Sequence, residues 1–538
     1  MTNLDWTVLI IYIIGIIGMS MVIGRSQKSQ EDYYLGGRRI RPWQVALSVM
    51  ATQVSAISLI GAPAFIALRK GGGLVWLQYE FAIPLAMILI MIVLIPVYHH
   101  THGITIYEYL ENRFGRAMRA TLSLVFLISR GLSAGVALLA ASIVTSVCLG
   151  VPLAYTVALI GIVSLLYTTI GGIKADIQSD IVQLVILWGS AIICIIIILN
   201  LLGDNAFVVA PADAGRLKIF DFGSTGLGDG KTFAFWPMLI GGFFLYLSYY
   251  GCDQSETQRL LTTKTPEDAR RALFINGLLR FLLVLTYCTF GFFLLSFLYH
   301  NPDFAARFNG SPPDFLVPYF LVEFFPKGLL GLVVAGIFAA SMSSIDSALN
   351  SLSAATWRDF LIQYFPSLKK LSGRKMVRIS RILTVFWGAL ATVFALSMIG
   401  GPETVLVMVN RIGSTFYGPI LATFWLGILT RKTSQVGAIS GLCTGVIVNI
   451  ILWRFFSNEV SWLWWNVTGF IVASWVGYTV SFFFPQKHTV RTLENSFSLR
   501  QLLKQGGARW KYVILVMAFL LIILICWILQ SLVIGRLN

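Results

Sequence analysis

Charged residues are scarce in this chain, at 12% of 538, and cysteine and histidine are scarcer, at six and five. Cys148, Cys194, Cys252, Cys288, Cys443 and Cys526 all lie in apolar stretches. With no C-x-x-C spacing and no adjacent histidine pattern, they read as small buried hydrophobes, which excludes a disulfide framework and a cysteine metal centre. His99, His100 and His102 cluster at the end of one apolar run. No carboxylate or cysteine shares their spacing, so an interfacial loop outweighs a metal site. No nucleophile–base pair, metal motif or phosphate-binding loop lies in or near the apolar runs, which argues against an enzyme. Alternating segments of about ten residues, the mark of a membrane β-barrel, are absent as well.

What the chain has in abundance is long apolar runs. Hydrophobic residues make up 57%, and many runs exceed the roughly 18 residues that signal a membrane-spanning helix. The fold class is an all-α polytopic membrane protein. Hydropathy places about fourteen spans, near 5–23, 43–67, 74–98, 119–148, 151–171, 178–203, 233–260, 272–300, 328–356, 378–399, 402–428, 435–456, 460–484 and 511–533. The first follows Asp5 and precedes Arg25 and Lys28, so it reads as an uncleaved span with its N-terminus outside rather than a secretory signal.

The formal charge of +16 invites a nucleic-acid partner, but its distribution points elsewhere. Alternate loops carry Arg38, Arg39 and Arg41, then Arg113, Arg116 and Arg119, Lys174, the Arg259–Arg271 segment, the Arg358–Arg381 run, and Arg431 and Lys432. A roughly threefold basic excess on that side marks it as cytoplasmic, and an even span count then puts both termini outside. No nucleic acid is needed to account for the charge. The multi-pass chain belongs in a plasma or bacterial inner membrane, with the lipid bilayer as its surroundings.

One stretch stands out chemically. Within the apolar 328–356 segment, Ala340, Ser343, Ser344 and Ser347 share one helical stripe, with Asp346 at its edge. Hydroxyls and carboxylates are hard oxygen ligands suited to hard cations. The competing reading is a small-residue face for close helix packing; the carboxylate inside a span favours ion binding. Two other spans are polar and glycine-rich where they should be greasy: 47–58, followed by Gly61 and Pro63, and 246–255, after Gly241 and Gly242. Interrupted helices recurring five spans apart point to an inverted-repeat transporter with its site at mid-membrane. A leading helix at 5–23, repeats at 43–203 and 233–428, and peripheral helices within 435–533 then account for the chain. Of the intramembrane charges, Asp180 and Asp346 are plausible co-ligands of a cation. Arg130 is either an anchor for a substrate carboxylate or the partner of Glu80 or Asp253, and Arg280 reads as a snorkelling side chain near an inner end.

Six stretches carry a resemblance: YYLGGRR (33–39), TIYEYLENRFG (105–115), YTTIGGIKADIQSDIVQ (167–183), GCDQSETQR (251–259), FAASMSSIDSALNS (338–351) and GSTFYGPIL (413–421). In order and spacing they resemble the sodium/solute symporter family, which includes sodium-coupled sugar, sialic acid, proline, iodide and vitamin carriers. The resemblance implies two inverted five-helix repeats with broken first and sixth core helices, the amino-acid/sodium symporter fold, plus flanking helices. It implies a sodium-coupled symporter working by alternating access, with Na+ as coupling ion and a small-molecule solute as partner, functional as a monomer. Carried over by position, the main sodium ligands are the carbonyls of Ala51, Val54 and Ala340 and the hydroxyls of Ser343 and Ser344. A second sodium falls to Asp180, Ser343, Asp346 and Ser347, where Asp346 departs from the hydroxyl residue of members that use this site. The substrate positions are Gln53, Ser55, Ser58, Gln78, Glu80, Arg130, Asp253 and Gln254. Arg130 matches sialic acid carriers and Asp253 matches sugar carriers, so a sugar or sugar acid is the expected solute. A small carboxylate or amino acid, proton coupling through Asp180 and Asp346, and a transporter-fold sensor are the alternatives.

Overall fold

The computed structural model of the protein describes every residue except 26, 28, 55, 102, 309–311, 401–403, 487–496, 498, 506 and 536–538. The side chains at 56, 167, 170, 339–341, 343, 499, 500, 505 and 533–535 also lie outside the description. Among the described residues all regular structure is helical, apart from a single bridge between Leu227 and Val460. Each stretch expected to span holds helix. Among the described residues ten helices are long and apolar enough to cross a membrane, and the pair Pro42–Gln53 and Ile57–Ala67, bent by 50°, makes eleven if counted as one span.

The serine-rich helix, Leu329–Ala355, sits at the centre and packs on Leu153–Leu202, Arg116–Leu149, Asn3–Gly24 and Pro42–Gln53. The outer helices leave their apolar residues bare: Ile10, Ile11 and Ile14 on Asn3–Gly24, and Leu520, Leu521 and Leu524 on Arg509–Gly535. In water such a surface drives association, whereas in hydrocarbon it matches the solvent. Five cysteines are buried as expected, but Cys443 is exposed, because it lies on Gln435–Phe456, a helix with only part of its surface against the bundle.

Glycine decides two close approaches. The spans expected at 151–171 and 178–203 are two helices within Leu153–Leu202, joined at a kink where Gly172 leaves helical geometry (φ 58°, ψ −175°). A Cβ there would sit 2.8 Å from the Tyr33 carbonyl oxygen, so both the dihedral and the space demand glycine. On Gln435–Phe456, Gly437, Gly441 and Gly445 recur every fourth residue against Gly469, Ala473 and Gly477 of Trp462–Phe483. A Cβ on Gly441 would come within 2.3 Å of the Ala473 carbonyl; the two backbones touch, as in small-residue membrane packing.

The loop helix Tyr107–Phe114 and the helical segment Thr356–Leu361 are joined by charge. Arg119 bonds Asp359 at 2.7 Å and pairs with Glu111, and Arg358 pairs with Glu108 at 3.1 Å. Thr105 and Ser123 donate to the same Asp359 carboxylate at 2.7 and 2.8 Å. Burial pushes the Glu108 carboxyl up, but Arg358 and Arg119 outweigh it and hold it below its ordinary 4.5. Its folded pKa lies under its unfolded one, so it stabilises the fold above that pH and the contribution fades as pH falls through the folded value. Glu108→Gln should therefore lower the melting temperature in detergent at pH 7 and flatten the acid limb of the stability profile. An unchanged acid limb would refute this role.

Asp5 ties the first helix to the central one. Its Oδ1 accepts the Gly328 and Gly331 amides at 2.7 and 2.8 Å, and Oδ2 accepts the Thr2 amide at 2.7 Å. The carboxylate thus satisfies orphan N–H groups at two helix N-termini. Asp5→Ala should cost about 1–2 kcal/mol of stability, read as a drop in detergent melting temperature. Asp5→Asn should recover part of that loss.

Candidate functional site

Two helices break at the middle of the bundle. The first leaves helical geometry at Val54 (φ −90°, ψ 93°) between Pro42–Gln53 and Ala56–Ala67. The second breaks at Asp253 (φ −86°, ψ 127°) between Gly242–Cys252 and Gln254–Leu261. Asp253 caps the second half, accepting the Ser255 amide at 2.8 Å. Both interruptions fall inside the polar, glycine-rich stretches singled out in the sequence. Beside them lies a cavity of about 120 Å³. Thr52, Gln53 and Ser58 line it from the first broken helix, Tyr249 from the second and Ser344 from the serine-rich helix; Glu80, Arg130, Arg280, Asn410 and Tyr417 add further polar walls. Ala134, Ala137, Leu245, Val284, Leu406 and Val409 add apolar wall.

Three buried arginines organise the charge. Arg280 does not snorkel: it is 5% exposed and pairs with Glu80 at 3.3 Å, while the Tyr246 hydroxyl donates to the same carboxylate at 3.0 Å. Helix Pro266–His300 packs against Leu74–Ala82, which brings Glu80 within reach of Arg280. Arg259 is the most fully engaged. It pairs with Asp180 at 3.0 Å and donates to Ser48 Oγ at 2.7 Å, to the Ser255 carbonyl at 3.0 Å and to Ser347 Oγ. Arg130 is held more loosely. Asp253 lies 3.8 Å away and the Tyr249 ring 5.7 Å below. Its Nε–H is buried without an acceptor among the described residues, as is the Arg280 Nη1–H. A buried donor left unmatched is costly, and the cavity is where an acceptor fits.

The residues expected at the main ion site are partly assembled. Ser344 Oγ donates to the Thr52 carbonyl at 2.8 Å, and Thr52 Oγ1 lies 3.1 Å from Ser347 Oγ. Ala51 and Val54 are buried alongside. The side chains of Ala340 and Ser343, and the whole of Ser55, lie outside the described residues. The second group is not brought into one cluster among the described atoms. Arg259 bridges Asp180 and Ser347, whereas Asp346 accepts from Thr168 Oγ1 at 2.6 Å and its other oxygen is buried without a partner among the described residues. No group of three His, Cys, Asp or Glu that could hold a metal exists among the described residues.

Of the expected solute positions, Gln53, Ser58, Glu80 and Arg130 line the cavity. Gln53 accepts from the Tyr250 hydroxyl. Gln78, Asp253 and Gln254 do not line it. Gln78 is buried with its amide toward the Val75 carbonyl. Gln254 is committed to the loop ahead of Tyr107–Phe114, donating to the Ile104 carbonyl at 3.0 Å and accepting the Ile106 amide at 2.9 Å. Tyr79, Tyr249, Asn410 and Tyr417 were not anticipated. Their signal is weak, since aromatics and a lone asparagine in a span read as packing.

Residues 33–445 match the sodium:solute symporter family. This chain is a member of that family. Sodium-coupled monocarboxylate transporter 1 of Homo sapiens is 30% identical over 433 residues, covering 79% of this chain and 69% of its own length. The sodium/iodide cotransporter of Homo sapiens is 27% identical over 499 residues, covering 91% and 72%. A Na+-coupled sialic acid symporter, solved substrate-bound and outward-open, superposes with a TM-score of 0.79 at 22% identity, over 90% of this chain and 100% of that one. That likeness shows the fold. The symporter is thus a sodium-coupled, multi-pass membrane transporter and not an enzyme.

Removing Arg259 from the symporter strands Asp180 in the bundle. Arg259→Met alone should destabilise by about 3–5 kcal/mol, the typical cost of orphaning a buried partner. Adding Asp180→Asn should restore much of the loss, measured as detergent melting temperatures in a double-mutant cycle. Additive losses would show that the two residues act independently.

Proposed function

We propose that this symporter couples sodium to the uptake of a small monocarboxylate. Arg130 carries the reading: a buried guanidinium on the cavity wall with a long ion pair and an unmatched Nε–H. A planar fork of that kind suits a carboxylate. Glu80 is already neutralised by Arg280, so it does not repel an anion. The cavity's small volume and apolar walls suit a short acyl chain, and monocarboxylate transporters stand among the relatives. The sugar or sugar-acid reading is weaker, because Asp253 and Gln254 do not line the cavity.

Sodium is held, in this reading, by the carbonyls of Ala51, Val54 and Ala340 and the hydroxyls of Ser343 and Ser344. The support is the helix end at Gln53, where carbonyls lose their regular donors, and the Ser344 hydroxyl already against the Thr52 carbonyl. Because Thr52 and Ser344 also line the cavity, ion and solute share a wall, which gives each a route to stabilise the other's site. Asp180, Ser343, Asp346 and Ser347 remain the candidates for a second cation, sodium or proton. Arg259 supplies positive charge between Asp180 and Ser347, which leaves Asp346 as the open member.

The proposed architecture has about fourteen spans with both termini outside. Inverted repeats occupy 43–203 and 233–428, after a leading helix at 5–23, with peripheral helices within 435–533, and the protein works as a monomer. The paired breaks at Val54 and Asp253 support it.

In proteoliposomes with an inward sodium gradient, labelled two- to four-carbon monocarboxylates should accumulate. Arg130→Gln should weaken their apparent affinity roughly tenfold or more, the loss of a charge-assisted pair. It should leave sodium-induced thermal stabilisation intact. Ser344→Ala should raise the sodium needed for half-maximal uptake. Sodium-independent uptake driven by an imposed pH gradient, or wild-type affinity in Arg130→Gln, would sink this reading.

A further inference from the structure

A second pocket, of about 600 Å³, lies between the end of Ala56–Ala67 and the 211–233 segment. Charge asymmetry assigns this face to the outside, where lysine and arginine are few. Yet Arg69, Lys70, Arg216, Lys218 and Lys231 all line this one pocket, against two carboxylates.

Arg216 is spent on building it. It pairs with Asp213 at 2.9 Å and donates to the Ile66, Leu68 and Arg69 carbonyls. A Cβ on Gly73 (φ 140°) would come within 2.3 Å of the Arg216 carbonyl, so the chain closes tightly around this staple. Asp213 is thereby neutralised and Asp221 is the remaining acid. Lys70, Lys218 and Lys231 are exposed and form no ion pair among the described residues. The pocket therefore has a surplus of positive charge.

Its inner wall is a layer of rings. Phe233 and Val75 face this pocket, while Trp76 and Tyr79 face the central cavity. Trp76 and Phe233 lie 5.9 Å apart, Phe65 and Phe233 4.8 Å, and Phe65 and Trp76 5.1 Å. The Arg69 guanidinium rests 5.3 and 5.2 Å over Phe65 and Phe233. Outer pocket and central cavity are thus separated by an aromatic layer two rings deep, Phe233 outside and Trp76 inside, with a cation laid against it.

We propose that this pocket is an antechamber that gathers the anionic solute in front of the aromatic layer before it reaches Arg130. It rests on the reading of the solute as an anion. A lysine-rich pocket raises the local concentration of anions by a Boltzmann factor, and the effect shrinks as salt shortens the Debye length to about 8 Å at physiological strength and 3 Å at 1 M. Selection by charge before selection by shape follows: neutral solutes gain nothing here.

Two measurements on the full-length protein test it. First, Thr232→Cys, on the pocket wall, is labelled with methanethiosulfonates bearing either a sulfonate or a trimethylammonium group. The sulfonate reagent should react about fivefold faster, relative to its rate with free cysteine, and the K70Q/K218Q/K231Q triple variant should abolish that preference. Second, the triple variant should raise the KM for a labelled monocarboxylate about three- to tenfold at low ionic strength, with kcat unchanged and the difference gone at high salt. An equal labelling preference in Thr232→Cys with and without the triple substitution overturns the antechamber, as does a wild-type KM with wild-type salt dependence in the triple variant. If no monocarboxylate is transported, the solute reading fails by itself, and the labelling still decides whether the pocket gathers anions.

Discussion

A guanidinium and a carboxylate withdrawn together from water hold the centre of this protein. Arg259 and Asp180 are each at most 1% exposed, 3.0 Å apart, in a setting where either charge alone costs several kcal/mol. Their hydrogen bonds extend to Ser48 and Ser347, so one ion pair binds four helices: Pro42–Gln53, Leu153–Leu202, Gln254–Leu261 and Leu329–Ala355. Two of these are halves of the broken helices and a third is the serine-rich helix. Any motion that separates them has to admit water or supply new partners to these two charges.

The arginines show how sign and surroundings divide labour. Arg259 is saturated with acceptors and fixes structure. Arg280 neutralises Glu80 and thereby sets the charge of the cavity wall. Arg130 has a carboxylate at the limit of ion pairing and a buried Nε–H without an acceptor among the described residues, which is why it is the proposed solute anchor. Sodium coupling needs an ion and a solute to prefer the same conformation; in the proposed reading they meet at the wall formed by Thr52 and Ser344, both of which line the cavity.

Much of this was legible in the residues. Apolar length located the helices, because a bilayer demands it, and the small polar runs at 47–58 and 246–255 marked both breaks, because only such residues tolerate freed backbone in a membrane. Helical spacing set Ser344 on the polar stripe, and its side chain lines the cavity. Partner choice was legible only in part: Asp253 was one of the two partners offered for Arg130. Nothing in local spacing says that Glu80 meets Arg280 from a helix 200 residues away, or that Gln254 turns from the cavity to hold the loop at Ile104. The cation between Asp180 and Ser347 is likewise an arginine delivered by a distant segment. Periodicity reports which face a residue takes, whereas pairing depends on which helices the fold sets side by side.

Asp5 links two parts of the chain more than 320 residues apart. Because its carboxylate clasps amides at the start of the serine-rich helix while its own helix begins there, the two are hinged at a common end. Any tilt of the Ser344-bearing helix would therefore carry the start of the first helix with it. The leading helix would then act as an outrigger, its bare isoleucine face moving against lipid.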